Sequence, residues 1–260
     1  MVTPNEIPHV LACDVGNATV ELAAVHGEQT TPPTQHRIGD LGDLGASLAV
    51  LWEQTPEPKK LVASSVNSTA LKALEAAAVE AAGTAPLVIG RDLPRPLDTD
   101  LAEPDSVGID RLCAAVAAYD RIGTACVVAD FGTAATIDCV SDAGIFLGGA
   151  ILPGLALAAQ CLTEHTADLP HVTPREISGT FGRTTEEAIL SGLLRGARGA
   201  LRELTEAYAT ELGHWPAVIV TGGDARLVCP NASQGGLVQA IVDDLVLRGI
   251  ACAYYRTLLR

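Results

Sequence analysis

Asp130-Phe131-Gly132-Thr133-Ala134 follows the apolar run Cys126 to Ala129, and Asp14-Val15-Gly16-Asn17-Ala18 follows the apolar run Val10 to Cys13. In each place a short apolar run ending at a turn reads as a buried strand. The residues beyond the turn, Thr136 to Val140 and Thr19 to Val25, read as a returning strand. A strand, Asp-x-Gly-polar-Ala turn, strand unit therefore occurs twice at half-chain separation, which marks an internal duplication. The expected fold is α/β with two related lobes, each a mixed sheet with flanking helices. The N-terminal lobe is placed at residues 1–105 and the C-terminal lobe at 106–260.

Working outward from the two turns, Gln29 to Gly45 is rich in Pro and Gly and reads as a surface loop. Leu61 to Val66 and Pro86 to Gly90 read as strands, Ala70 to Ala82 as a helix, and Arg91 to Asp105 as an extended connector. Asp110 to Tyr119 has helical spacing, with Leu112, Ala115, Val116 and Tyr119 on one face. Ile145 to Ile151 adds a strand. Thr184-x-x-Glu187 is a capping-box pattern, and the helix it opens is expected to carry Ile189, Gly192, Leu193, Gly196, Ala197 and Ala200 along one side, a face suited to close packing. Ala217 to Val220 reads as a strand leading into Thr221-Gly222-Gly223, and an apolar helix is expected from about Leu237 to Tyr255.

Composition narrows the function classes. With 260 residues and 48% hydrophobic content the chain supports a core without staples. Its formal net charge of −14 opposes nucleic acid or an anionic membrane as a partner, since both select a basic footprint. No apolar run approaches the length of a membrane span, and Met1 to Pro8 lacks the pattern of an export signal. The expected location is the cytoplasm. The seven cysteines include no C-x-x-C pair and are expected to be reduced thiols, mostly buried.

The two glycine turns have the residue types that a phosphate clamp between two similar lobes requires. Glycine lets backbone N–H groups close on phosphate oxygens, Asn17 or Thr133 adds a side-chain donor, and the Asp holds a cation. A Walker A lysine motif is absent, so the chain is not a P-loop enzyme. Thr221-Gly222-Gly223 repeats the placement of a turn beyond the carboxyl end of a strand, where ligands of α/β sheets sit. Single turns of this kind also occur as ordinary hairpins, and Asp110-Arg111 at a helix start more commonly means an N-cap with a solvated arginine. Thr185 likewise reads as a cap. His165, Asp168 and His171 are assigned surface or capping roles, because Pro170 interrupts any helix that would align them.

Taken together, Asp14-Val15-Gly16-Asn17, Gly108-Ile109-Asp110-Arg111, Asp130 to Asp138, Gly148 to Gly154, Thr166 to Pro170, Gly182 to Thr185 and Thr221-Gly222-Gly223 resemble, in order, the motifs of the type III pantothenate kinases. The resemblance implies duplicated actin-like ATPase lobes of ribonuclease H-like topology. It also implies ATP-dependent phosphorylation of the primary hydroxyl of pantothenate, the first step toward coenzyme A. By it, Asp14, Val15, Gly16, Asn17, Ala18, Thr19, Val20, Glu21 and Thr133 contact ATP, taken with Mg2+. Gly108, Ile109, Asp110, Arg111 and Thr185 contact pantothenate, with Asp110 the general base. Asp130 holds a monovalent cation, K+ or NH4+, and the chain is a homodimer. Three positions depart from the family pattern. Ala18 stands where Thr is usual, Leu101 where Tyr is usual, and Ala134-Ala135-Thr136 where Ala-Thr-Thr is usual. Ala18 and Leu101 leave two alternatives open, a catalytically impaired member acting as a regulatory or binding protein, and a kinase of the same fold for another hydroxylated substrate.

Overall fold

The computed structural model describes residues 7–232 and 236–259. The chain forms two compact units, residues 1–121 with 244–260 and residues 122–243. The division thus falls after Arg121 rather than after residue 105, and the end of the chain returns to the first unit.

The first unit contains β1 (His9–Val15), β2 (Thr19–His26), β3 (Gln29–Thr30), β4 (Thr34–Arg37), α1 (Leu44–Gln54), β5 (Lys59–Ser65), α2 (Ser68–Ala82), β6 (Leu87–Val88) and α3 (Ile109–Ile122). Its sheet runs β3-β2-β1-β5-β6, with β4 also paired to β2. β1 and β2 are antiparallel, while β1, β5 and β6 are parallel. Alternation along β1 sends Leu11, Cys13 and Val15 into a core with Leu44 and Leu48 of α1 and Leu74 and Ala78 of α2. The α2 boundaries are set locally: Asn67 accepts hydrogen bonds from Thr69 N and Ala70 N, and Gly83 ends the helix in the left-handed region at φ 69°.

The second unit contains β7 (Cys126–Phe131), β8 (Ala134–Val140), β9 (Phe146–Pro153), α4 (Leu155–Glu164), α5 (Thr185–Leu212), β10 (Ala217–Thr221), α6 (Ala225–Val228) and β11 (Ala240–Ile241). Its sheet runs β11-β10-β7-β8-β9. β7, β8 and β9 form an antiparallel meander, and β10 and β11 lie parallel to β7 on the other side. This is the topology of the first sheet. The duplication legible in two turns is therefore a duplication of strand order and direction. Val127, Ala129, Phe131, Ile137 and Cys139 bury against Leu194 and Leu201 of α5 and Val228 of α6. The Tyr208 hydroxyl, on α5, donates to Ile137 O at 3.1 Å.

α7 (Leu245–Leu258) closes the chain and packs on β1, β2 and β5 of the first unit. Gly249 makes this possible, because a Cβ there would collide with the main chain of Cys113 on α3. A helix running from Leu237 is not formed. Ala240 and Ile241 pair with Ile219 and Val220 instead, and the helix starts only after Asp244. The Gln29–Gly45 segment also differs from a plain loop. Its short β3 and β4 pair with β2, and α1 begins at Leu44. The small-residue face of α5 is split: Ile189 is buried and Leu193, Ala197 and Ala200 pack on the core, whereas Gly192 and Gly196 face open space. All seven cysteines are free, but Cys161 is exposed. Among the described residues, no helix is long and apolar enough to cross a membrane.

Candidate active site

In the first unit, Asp14 is the penultimate residue of β1, and the Gly16 to Ala18 turn closes with Gly16 N donating to Thr19 O at 2.9 Å. Asn17 and Ala18 are exposed at the tip, and Ala18 O accepts from Ile38 N at 2.9 Å. Val15 and Val20 face each other across the hairpin and are fully buried, so they support the turn from below. Thr19 and Glu21 lie on β2, where Glu21 accepts a 2.7 Å hydrogen bond from Gln35. The family-implied loop Asp14 to Glu21 is thus a hairpin whose exposed part is Asn17 and Ala18.

Asp110 is the second residue of α3 and lies inside the helix, not at the flanking cap position. Its Oδ1 accepts the Arg111 N–H at 2.8 Å, and the carboxylate folds back over Gly108. A Cβ at Gly108 would collide with that oxygen, so glycine is the residue that allows this pose. Ile109 is buried and anchors the first turn. Burial holds the Asp110 carboxyl above the usual carboxylate range, opposed by the Arg111 N–H and then by the Arg111 guanidinium.

The Cys113 thiol, one turn along α3, is pushed well up, first by burial and then by the charges of Asp14 and of Asp110. The charges of two carboxylates far apart in sequence thus act on one buried thiol of this unit. Sequence reading missed the side chain that holds Asp14: the Ser64 hydroxyl, fully buried on β5, donates to Asp14 Oδ1. Only the parallel register of β1 and β5 reveals that pair.

In the second unit, Asp130 and Phe131 end β7, and Gly132 N donates to Ala134 O at 3.2 Å across the turn that exposes Thr133. Thr221, opposite Asp130 on β10, leads into Gly222 at φ +94°. A Cβ at Gly222 would collide with Asp130 Oδ1 and the main chain of Phe131. Asp224 N donates to Phe131 O at 2.9 Å. Gly154 approaches from β9, its N–H donating to Thr133 O at 3.1 Å, and a side chain there would strike the Gly132 and Thr133 carbonyls. The Asp130 to Thr133 turn, the Thr221 to Gly223 turn and Gly154 thus come together.

Thr185 is the exposed first residue of α5. Capping is done by its neighbour: Thr184 Oγ1 accepts from Glu187 N at 3.2 Å, and Glu187 reaches back to Arg183 N at 2.8 Å. The Thr185 hydroxyl is not the cap.

The residues at Asp130 fit a monovalent cation. The carboxylate sits in a cradle shaped by two glycines, Gly132 and Gly222, that any Cβ at 222 would fill. For magnesium the requirement is lighter, since the ion usually takes one or two carboxylates and completes its shell with phosphates and water. Asp14, at the tip of a strand, is of that donor type. Among the described residues, no group of three or more His, Cys, Asp or Glu side chains is placed to hold a metal on its own.

A family model described as type III pantothenate kinase matches residues 10–207 of this chain. The chain belongs to the type III pantothenate kinase family. A family relative from Dehalococcoides mccartyi is 31% identical over 254 residues, 94% of this chain and 96% of the relative. Another family member, from Akkermansia muciniphila, is 40% identical over 154 residues, but there the match spans 62% of the relative's length. For the Thermomicrobium roseum pantothenate kinase, 37% identical, the span is 65%. Among solved structures, a Baf family protein from Campylobacter jejuni is similar at TM-score 0.59 and 22% identity, covering 96% of this chain and all of that one. The (R)-2-hydroxyglutaryl-CoA dehydratase component A from Acidaminococcus fermentans is similar at TM-score 0.57 and 14% identity, covering 97% of this chain and all of that one. These likenesses, with the two mixed sheets and their flanking helices, establish the actin-like ATPase fold.

Proposed function

We propose that this protein transfers the γ-phosphoryl group of ATP to the primary hydroxyl of pantothenate, giving 4'-phosphopantothenate and ADP. The observation that carries this reading is Asp110, a carboxylate folded over Gly108 inside α3, with burial raising its basicity. Asp110 accepts the hydroxyl proton as the oxygen forms its bond to the γ-phosphorus, and the bond to the ADP oxygen breaks in line. Arg111 offers a fixed positive charge to the pantothenate carboxylate, and Gly108, Ile109 and Thr185 complete the substrate contacts. On the nucleotide, Asp14 to Glu21 and Thr133 receive the phosphates through backbone and hydroxyl donors. Magnesium, when bound with ATP, and a monovalent cation at Asp130 supply neutralising charge. The enzyme acts in the cytoplasm, as a homodimer.

A coupled assay of ADP release, with and without pantothenate and in potassium or sodium salt, tests the proposal. ADP release that needs pantothenate and potassium is the expected result. Ala18 and Leu101 favour a second reading, a family member that binds nucleotide without turnover. That reading requires Mg-ATP binding with no pantothenate-dependent ADP release.

Leu101 gives a graded prediction. It is half-buried in the segment leading to Gly108 and offers apolar contact where the family's usual Tyr offers a hydroxyl. One lost hydrogen bond weakens binding by about 0.5–1.5 kcal/mol. Leu101→Tyr is therefore expected to lower the KM for pantothenate several-fold while changing kcat less. A variant with unchanged KM would remove Leu101 from the substrate site.

A further inference from the structure

The carboxyl end of β5 carries a segment, Ser64-Ser65-Val66, that touches both halves of the first unit's chemistry. In the parallel register Ser64 lies beside Asp14 and Ser65 beside Val15. Beyond the strand, Val66 N donates to Val15 O at 3.0 Å, which ties the base of the Asp14 loop to β5. The Val66 side chain also lies against Gly108, 3.4 Å from where a Cβ would stand. One short segment thus braces the Asp14 loop on one side and the Gly108–Asp110 motif on the other.

Within that segment Ser64 has a specific place. It is 0% exposed, so its hydroxyl has no bulk water to turn to, and its hydrogen bond goes to Asp14 Oδ1. A serine hydroxyl has a single proton to donate, and donating it to a carboxylate is among the stronger neutral-donor contacts. The bond holds Oδ1 toward β5 and so restricts which way Oδ2 faces.

We propose that Ser64 is a positioning residue for the nucleotide: by holding Asp14 Oδ1, it presents the other carboxylate oxygen to the cation that accompanies the ATP phosphates. The inference rests on the assignment of Asp14 to ATP and is independent of which alcohol is phosphorylated. Ser64 touches no reacting atom.

The test is the equilibrium affinity of the full chain for the magnesium complex of a non-hydrolysable ATP analogue, measured by calorimetry beside the affinity for pantothenate. Ser64→Ala removes the donor, Ser64→Cys replaces it by a slightly larger, much weaker donor, and Ser64→Thr restores a hydroxyl. Losing a hydrogen bond to a charged group corresponds to roughly tenfold or more in binding. Ser64→Ala and Ser64→Cys are expected to weaken the magnesium-nucleotide complex by about tenfold and to change pantothenate affinity less than about twofold, with Ser64→Thr nearer the parent protein. Should Ser64→Ala not fold, Ser64→Cys carries the same comparison without opening a cavity. Unchanged nucleotide affinity in a folded Ser64→Ala or Ser64→Cys protein would overturn the proposal, as would an equal loss for nucleotide and pantothenate, which indicates general disturbance. A parent protein that binds the nucleotide but not pantothenate would defeat the pantothenate reading alone and leave the Ser64 comparison intact.

Discussion

Replacing Asp110 by Asn is expected to lower turnover by about two to four powers of ten with the fold retained, the range for loss of a general base. Asn keeps the size of Asp and an oxygen able to accept the Arg111 N–H, so the turn over Gly108 persists. What disappears is the ability to take a proton. The same residue governs the acid limb of activity. Burial raises the Asp110 pKa above 3.8, so the basic form is lost at a higher pH than for an ordinary aspartate as the solution is acidified. Turnover should therefore rise with pH through a midpoint above that of an ordinary aspartate and level off once the carboxylate is ionised. Steady-state kinetics and circular dichroism on the two proteins check this, and an Asp110→Asn variant with near-parental turnover would end the assignment.

The second large effect is expected at Asp130. The Asp130 carboxylate is half-buried beside Gly132 and Gly222, and a Cβ at 222 would collide with its Oδ1. A half-buried carboxylate in such a cradle gains from a weakly hydrated cation, and that cation neutralises phosphate charge in turn. Exchanging potassium for sodium should remove most activity of the parent protein. Asp130→Ala should lose about two powers of ten or more in either salt, comparable to deleting one charge-stabilising group of an active site. Potassium should also raise the thermal midpoint of the parent protein and leave that of Asp130→Ala unmoved. Equal activity in the two salts would remove the cation from Asp130.

The parts of this molecule legible in the sequence are those fixed by local signals. The runs Val10 to Cys13 and Cys126 to Ala129 are apolar and end at Asp-x-Gly turns, and the structure has β1 and β7 there. Thr184 and Glu187 mark the start of α5 as a capping pair does, although Glu187 bonds the N–H of Arg183, one residue before the cap. Among the shortest elements, β3, β4 and β11 escaped. β3 and β4 flank Pro32-Pro33 and are too short for alternation to register, and β11 exists because β10 offers it a parallel edge. The boundary between the units was also hidden, since nothing local in α7 announces that Gly249 will meet Cys113.

At the candidate site the division is similar. Asp14 and Asp130 are marked by residue type and by their glycine turns, Asp110 only by the family resemblance, and the need for glycine at 108 and 222 follows from the carboxylates they accommodate. Ser64 did not stand out. A serine in an apolar strand has no pattern of its own, and its meaning comes from a register partner fifty residues earlier in the chain. The N-cap alternative for Asp110 and the capping alternative for Thr185 were equally open from spacing alone. The structure places the first inside its helix and gives the cap of the second to Thr184.

The most direct test of the whole account is to incubate the purified protein with ATP, magnesium, potassium and pantothenate and to identify the product by mass spectrometry. The account predicts 4'-phosphopantothenate formed in equal amount with ADP, and none when pantothenate is omitted or Asp110 is replaced by Asn. A protein that binds Mg-ATP under these conditions yet yields no phosphorylated pantothenate would contradict it.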